Sequence, residues 1–479
     1  MKYALQVVIT TDEGHTETQD IACVEREDLT PTTLGLTLAE GKAILKALQA
    51  IVVEQQMTAY LKTQRPCVYR GHRQRSEGDH TTQVRTVFGA ISLQSLRLYR
   101  CLCQSDPSDG ARTFSPLAEL LPEPITPELL FLETKWAALV SYGVTAQLLQ
   151  DVLPIDDALA PCTIREHVFT VAERLEQQMG DEQWSFIDSC PAEWSRLPIP
   201  HGPLTVGIDG GYIRTEQKQR WFEVIAGKSM LAFTRGEESK EPVSSKCFAF
   251  VRTFDHKPER RLFEVLQAQC HQLDWQITFL SDGGDTVREL QLYLNPHAEH
   301  LLDWFHLTMR LTVLQQTAKG LPDQTRDEEV DYPLRDPVLR ELERLKWYSW
   351  HGNVYKALQV VQFIEMDLDA AVAMSGHATA RKLLKAMEEF HTYIENNKGF
   401  IPNYGERYRH GERISTGFVE STVNQVVSKR MVKKQQMQWS KRGAHLLLQI
   451  RTRVLNGEWE ATFRSWYLGF RSHTPPLAA

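Results

Sequence analysis

The period of the hydrophobic positions changes along the chain, and each change marks an element. Residues 1–30 carry two alternating runs, KYALQVVITT and TETQDIACVE, around an Asp-Glu-Gly turn, which predicts a small strand pair. Over 36–63 the apolar residues recur at helical spacing without proline, which predicts a long helix. Strand-like TVFGAISLQSLRLYRCLC follows within a segment, 64–104, rich in arginine. Helical spacing then returns in ITPELLFLETKWAALV, TAQLLQDVL and TIREHVFTVAERLEQQM. The last of these has Thr163 as its expected N-cap and Glu166 completing a capping box. A stretch with several prolines and tryptophans, 181–203, reads as a linker.

Beyond it, LTVGIDGGYIR, RWFEVIAGKSML and KCFAFVRTF are strand-like and precede a helix over 258–273. The strand QITFLSD, a helix over 286–294 and the strand EHLLDWFH complete a βββαβαβ series. Three meandering strands followed by helix-linked parallel ones predict a mixed sheet with helices on its faces, in the element order of the ribonuclease H fold. After His306 about a hundred residues are helical, too many for a loop, and read as an insertion. Past the polar turn IPNYGERYRHGER, the run ISTGFVESTVNQVVSKRMVKKQQ predicts the last core helix, opened by Ser415 or Thr416 and carrying Glu420. MQWSKRGAHLLLQIRTRVL predicts a basic amphipathic helix, and SHTPPLAA a frayed end.

The expected class is therefore multidomain α/β. A ribonuclease H-like core is interrupted by an all-α insertion and preceded by a mostly helical DNA-binding region. Residues 1–122 hold the strand pair, the long helix and a basic cysteine-containing segment, and 123–200 the helical DNA-binding region and linker. The core begins over 201–306, the insertion spans 307–412, the last core helix and basic helices occupy 413–460, and 461–479 form a tail.

With 479 residues the chain exceeds one core. Hydrophobic residues at 42% and charged residues at 24% fit a globular protein. No apolar run reaches membrane-span length, and the first residues lack a signal-peptide layout, so no membrane partner is expected. The eight scattered cysteines fit a reducing interior, and the expected location is cytoplasmic, associated with the nucleoid.

Net charge is −7, yet residues 421–453 contain no Asp or Glu and carry Lys429, Arg430, Lys433, Lys434, Lys441 and Arg442. A second basic segment, 62–100, includes Arg73 and Arg75. Two such segments in an acidic chain predict a polyanionic partner; a solvated face is the alternative. Arg165 and His167 in the first turn of the TIREHV helix suit a helix-turn-helix, with a plain helical bundle as the rival. Cys67, Cys101 and Cys103, with His72 or His80, could hold zinc. Structural zinc usually takes C-x₂₋₄-C pairs, whereas here one half is a single cysteine and the other C-x-C, so ordinary thiols compete.

Asp209 stands late in an apolar strand and is followed by Gly210 and Gly211. A carboxylate there is costly unless something positive faces it, and the glycines clear room for a phosphate or a metal. A metal ligand, the phosphate loop of an actin-like kinase and an Asp-capped turn all fit this stretch alone. Phosphodiester transfer without a covalent enzyme intermediate needs charge stabilised on both entering and leaving oxygens. Two magnesium ions roughly 3.5–4 Å apart on a few carboxylates provide it, with manganese as a substitute. Asp209 lies in the first core strand, Asp282 ends the fourth and Glu420 lies on the last helix. First and fourth strands are neighbours in a ribonuclease H sheet, so the two aspartates can bridge one metal and Glu420 complete the second. Asp285 is the local rival to Asp282. Asp282 is preferred because it directly follows the apolar ITFLS, while Asp285 suits a cap for the helix at Thr286. Asp303 and His306, in DWFH, could orient a scissile phosphate or a metal-bound water; a core histidine paired with an aspartate is the plainer reading.

The residues GIDGGYIR, FEVIAGKS, FLSDGGD, LLDWFH, NYGERYRHGERISTGFVESTVNQVVSKRMVKKQQMQW and RGAHLLLQIRTRVLNG resemble the bacterial insertion-sequence transposases of the ISKra type, in the DDE superfamily. The resemblance extends upstream through RTVFGAISL and ITPELLFLETKWAALVSY. It implies metal-dependent cleavage at transposon ends and strand transfer into target DNA. It maps the family triad onto Asp209, Asp282 and Glu420, and the Asp-x-x-His motif of Mutator-like relatives onto Asp303 and His306. The implied partner is double-stranded DNA, as terminal inverted repeats and target, and paired ends suggest a homodimer or higher assembly. Family members often carry fuller cysteine pairs than this chain does. A structure-selective nuclease on the same fold would share the metal site. An actin-like sugar kinase would need a duplicated half and a glycine-rich loop where this chain is rich in Lys and Arg. An inactive DNA-binding derivative would have lost acids that are all present here.

Overall fold

The computed structural model describes residues 1–10, 14–67, 69–101, 103, 113–155, 159–181, 204–217, 220–231, 245–269, 277–284, 298–322, 334–432 and 438–472. It divides into two compact units, Met1–Ala172 with Gly457–Ala479, and Glu173–Asn456. Among the described residues no helix is long and apolar enough to cross a membrane.

In the first unit β1 (Lys2–Thr10) and β2 (Thr16–Glu25) form the expected antiparallel pair. The helix Leu38–Gln64 follows, capped by Thr37 and Glu40 reciprocally, and Arg26 grips Glu40 from the strand side at 2.6 and 2.8 Å. β3 (Ser76–Thr86), β4 (Gly89–Tyr99) and the short β5 (Thr113–Phe114) make a second antiparallel sheet. Its buried core against the long helix is small: Met57, Val84, Leu93 and Leu117. The helices Pro127–Leu139, Tyr142–Val152 and Pro161–Gln178 come next. Thr163 is not an N-cap: the helix opens at Pro161, whose missing N–H and fixed φ suit the first helical position, and Thr163 donates its own N–H to Ala160. The helix Trp459–Trp466 belongs to this unit too, and buried Phe463 meets Phe131 edge-on at 5.3 Å. The end expected to fray lies almost wholly outside the described residues.

The second unit is mixed α/β around one mixed five-stranded sheet of order β10-β9-β6-β7-β8. β6 (Leu204–Arg214), β7 (Trp221–Leu231) and β8 (Ser245–Val251) meander antiparallel, while β9 (Ile277–Ser281) and β10 (Glu299–Leu302) run parallel to β6. Alternation along β6 sends Leu204, Val206 and Ile208 to one face, where they pack with Phe248, Phe250, Phe279 and the helix Pro258–Ala268. Thr205, Gly207, Asp209 and Gly211 line the other. The Asp-capped turn that the sequence allowed does not form; the strand continues past Asp209, with Gly210 and Gly211 paired with Ile225 and Val224. The glycines let a helix close in. A Cβ on Gly207 would overlap Val419 and come within 2.8 Å of Phe418, and one on Gly211 would sit 3.1 Å from Val423. The helix Gly417–Val423 thus lies directly over β6, continuing as a π-helix, Asn424–Val432.

Between β10 and that helix the chain forms the expected helical region: Trp304–Ala318, Arg335–Trp350, Val354–Ser375, Ala378–Asn397 and Tyr404–Arg409. Its core runs from Leu307 and Leu311 through Leu342, Val361, Leu383 and Phe390 to Tyr404. The helix Lys441–Leu455 is a correction. Instead of an exposed basic stripe, everything from Gly443 to Thr452 is buried, and Arg451 donates to the carbonyls of Val426 (2.7 Å) and Gln425. Those donations take up carbonyls of the π-helical turns. The helix expected over 286–294 lies outside the described residues.

Candidate active site

The site assembles midway along β6 and at the carboxyl ends of β9 and β10. β6 and β9 pair from Leu204 with Ile277 to Gly207 with Leu280; Asp209 and Asp282 each lie two residues beyond that last pair, level with one another. β9 and β10 pair as far as Ser281 with Leu302, so Asp303 continues the same row, its N–H held by the Ser281 carbonyl at 2.8 Å. Glu420 comes from the helix that Gly207 and Gly211 admit against β6.

Electrostatics link the row. Burial raises the Asp209 carboxyl above the ordinary aspartate range, and the neighbouring charges of Asp282 and Glu420 add to the rise. The Gly210 N–H, donating to Oδ1 at 2.7 Å, and His306 act against it. Asp209 thus feels the charges of two further acids and, against them, that of His306. Asp282 Oδ1 accepts the Gly284 N–H at 3.0 Å across a turn in which Gly283 has φ of 90°. A side chain on Gly283 would meet Asn397 Oδ1 at 2.5 Å, so only glycine fits there. Asp285 lies outside the described residues.

Asp303 is wholly buried and caps the helix Trp304–Ala318 through the Phe305 N–H. It also accepts from the N–H of Thr416 (3.0 Å) and from its hydroxyl, immediately before the helix that carries Glu420. Asp303 therefore positions that helix start. His306 Nε2 is 3.6 Å from Asp303 Oδ2 and has no hydrogen-bond partner among the described residues. Two residues escaped the sequence reading. Arg310, one turn beyond His306, lies 4.1 Å from the Tyr393 ring, whose hydroxyl donates to the Asp282 carbonyl at 3.0 Å. Burial keeps that phenol protonated above its usual range although Arg310 opposes the shift. The available signal was the four-residue step from His306 to Arg310, which puts both on one helix face.

The basic candidates divide by burial. Lys429, Lys441, Arg442, Arg73, Arg75 and Arg165 are exposed. Arg442 also pairs with Glu173, and Arg165 with Glu166 at 2.9 Å. Arg430, expected to contact DNA, is instead fully buried over the Trp439 ring at 5.3 Å and offers nothing to an outside phosphate. Lys433 and Lys434 lie outside the described residues. His167, offered with Arg165 as a mark of a helix-turn-helix, pairs with the buried Glu133.

Each unit also holds a further cluster of metal-ligand residue types. Glu176, Asp255 and His445 gather closely, but Arg261 fills their centre with bonds of 2.9 and 3.0 Å to both carboxylates, so this is an ion-paired knot. In the first unit Cys67 Sγ is 3.3 Å from Cys103 Sγ, which is 2.9 Å from Cys101 Sγ. A nitrogen of His72 and the sulfurs of Cys67 and Cys101 all lie within 4.8 Å of one another. His80 is elsewhere, opposite Ser95 in the β3–β4 pair. Hydrogen bonding to Cys101, with burial and Cys67, pushes the Cys103 thiol up to about 12. Burial would raise Cys67 as well, yet backbone N–H groups of Arg70 and Tyr69 and the other thiols bring it below the usual thiol value.

Neither a protein-family model nor a curated protein matches the chain.

Proposed function

We propose that the chain is a DDE transposase of the ISKra kind, cutting DNA at transposon ends and joining the freed strands to target DNA. The observation that carries this reading is the meeting of Asp209, Asp282 and Glu420, far apart in sequence, at one end of the sheet. The strand order β8-β7-β6-β9-β10, with β7 alone reversed, supports a ribonuclease H-like core. A fold by itself does not carry the function.

The donor set suits magnesium. Its ligands are hard carboxylate oxygens; burial first, and then the charges of Asp282 and Glu420, raise the proton affinity of Asp209, and a divalent cation would offset both. Asp209, Asp282 and Glu420 would hold two magnesium ions, or manganese, which would stabilise charge on the entering and leaving oxygens. The other residues prepare the site. Asp303, through Thr416, sets the start of the Glu420 helix. His306 Nε2 can hold a proton at a phosphate or water oxygen, and Arg310 can neutralise a phosphate. Exposed Arg73, Arg75, Lys429, Lys441 and Arg442 supply contacts to the DNA backbone. The expected setting is the cytoplasm, with two or more copies assembled on paired ends.

The test is cleavage and strand joining on a labelled duplex carrying the element's own ends, with magnesium or manganese. Asp209→Asn, Asp282→Asn and Glu420→Gln should bind the duplex yet cut at no detectable rate, while Asp285→Asn still cuts. Cleavage without joined product would make the chain a nuclease. A wild type that binds the ends and cuts nothing would end the enzymatic reading.

A further inference from the structure

We infer that Tyr393 and Asn397, on the helix Ala378–Asn397, are positioning residues that hold Asp282 in place, which makes the helical region after His306 a working part of the acidic site. This rests on Asp209, Asp282 and Glu420 being metal ligands, and extends that reading to what fixes the second of them.

Asp209 lies inside β6, paired with Ala226, and Glu420 lies inside the helix Gly417–Val423. Asp282 has neither support: β9 ends at Ser281, and Asp282 opens the turn that follows. The turn holds itself in part, with the Gly283 N–H donating to Ser281 Oγ at 3.2 Å and the Gly284 N–H to Asp282 Oδ1 at 3.0 Å. Ser281 Oγ is also 2.8 Å from His300 Nε2 in β10. A further hold comes from a helix more than a hundred residues later, where Tyr393 donates its hydroxyl to the Asp282 carbonyl at 3.0 Å. One turn on, buried Asn397 donates from Nδ2 to the Tyr393 carbonyl at 2.9 Å. Its Oδ1 stands where a Cβ on Gly283 would come within 2.5 Å. The four-residue step puts both side chains on one helix face. Phe400, in the 3₁₀ turn after the helix, brings its ring 4.7 Å from that of His300.

The point of attachment matters chemically. A phenol bonded to the Asp282 carbonyl fixes the peptide from which the carboxylate projects. It engages neither carboxylate oxygen, so it orients the ligand without competing with a cation for it. The Arg310 guanidinium, 4.1 Å from the centre of the Tyr393 ring, confines the phenol in turn. Magnesium demands near-ideal octahedral geometry, so a carboxylate on a loose turn binds it less well. Groups that orient a metal ligand from outside its coordination shell typically contribute about 10–100-fold in affinity.

The experiment is a manganese titration of the full chain, with free manganese read by electron paramagnetic resonance, beside manganese-dependent cleavage of the labelled duplex. Tyr393→Phe and Asn397→Ala should bind manganese at least about tenfold more weakly than wild type and need correspondingly more of it to cut, yet reach the wild-type rate at saturation. Asp282→Asn should be rescued at no concentration. Leu383→Val, in the core on the same helix, should lower the urea midpoint and leave manganese affinity unchanged. Wild-type affinity in Tyr393→Phe, an equal loss in Leu383→Val, or a rate that saturating manganese does not restore would each overturn the inference. Should Tyr393→Phe fail to fold, Asn397→Ala decides by the same titration. Manganese binding that Asp209→Asn and Asp282→Asn leave unchanged would instead sink the metal reading of the acids, and this inference with it.

Discussion

Gly207 governs the position of Glu420 without touching it. An added Cβ would overlap Val419 and approach Phe418 Cζ to 2.8 Å, and Glu420 is the next residue along that helix. Overpacking a tight contact typically costs about 1–3 kcal/mol, here by lifting the helix from the strand. Gly207→Ala should therefore lower the urea midpoint by a corresponding amount. It should also lose cleavage far beyond what destabilisation explains at a temperature where the variant is still folded. Gly210→Ala is the control, since its Cβ would meet only the end of the Glu223 side chain at 3.0 Å, which can swing aside. Full cleavage by Gly207→Ala would detach the helix position from the chemistry. The sequence reading took Gly210 and Gly211 as clearance for a phosphate or metal. Glycine in a strand announces a close approach but not what approaches, and here Gly211 faces Val423, more than two hundred residues later.

At the scale of elements, basic residues were misread because charge content does not encode burial. The stretch 421–453 has no acid, yet Arg430 stacks on Trp439 and Arg451 serves the π-helix, both inside the unit. The contrary signal was present: between Arg442 and Arg451 there is no Lys, Arg, Asp or Glu, and Leu446, Leu447, Leu448 and Ile450 make most of that stretch apolar. The places of Asp209 and Asp282 in the sheet were legible because the apolar runs LTVGI and ITFLS that precede them are local patterns. The knot at Arg261 was not legible, since it joins Glu176, Asp255 and, from one helix, His445 and Gln449, three segments far apart in sequence. Burial alone would raise the Glu176 carboxyl, but His445 and Arg261 outweigh it and hold it at about 2 instead of 4.5. A depressed folded-state pKa stabilises the fold above the unfolded value and is lost as pH falls through the folded one, so the window runs from pH 4.5 down to 2. A shift of this size corresponds to about 3 kcal/mol. Glu176→Gln should be less stable than wild type at pH 7 by about that amount, and the difference should vanish near pH 2. Urea unfolding across pH reads this directly, and parallel pH profiles for the two proteins would refute it.

Over the whole molecule the decisive feature is how charge is distributed. The chain is acidic at −7, yet Arg70, Arg73 and Arg75 stand exposed on one loop of the first unit, and Lys429, Lys441 and Arg442 are exposed in the second. An acidic protein that binds DNA must do so through such local surfaces, because its average field repels phosphate. Each phosphate neutralised contributes about 0.9 to the slope of log affinity against log salt on duplex DNA. If the Arg73 and Arg75 loop grips the backbone, Arg73→Ala with Arg75→Ala should weaken binding similarly on all sequences and lower that slope by up to about 1.8. Arg344→Ala should leave the slope alone, since Arg344 is exposed but bound to Glu341 at 2.8 Å on a helix remote in sequence from both basic segments. Fluorescence anisotropy over a salt series measures both. A slope insensitive to Arg73 and Arg75 but reduced by Lys441→Ala and Arg442→Ala would assign the phosphate contacts to the second unit. A slope near zero for the wild type would remove duplex DNA as the partner altogether.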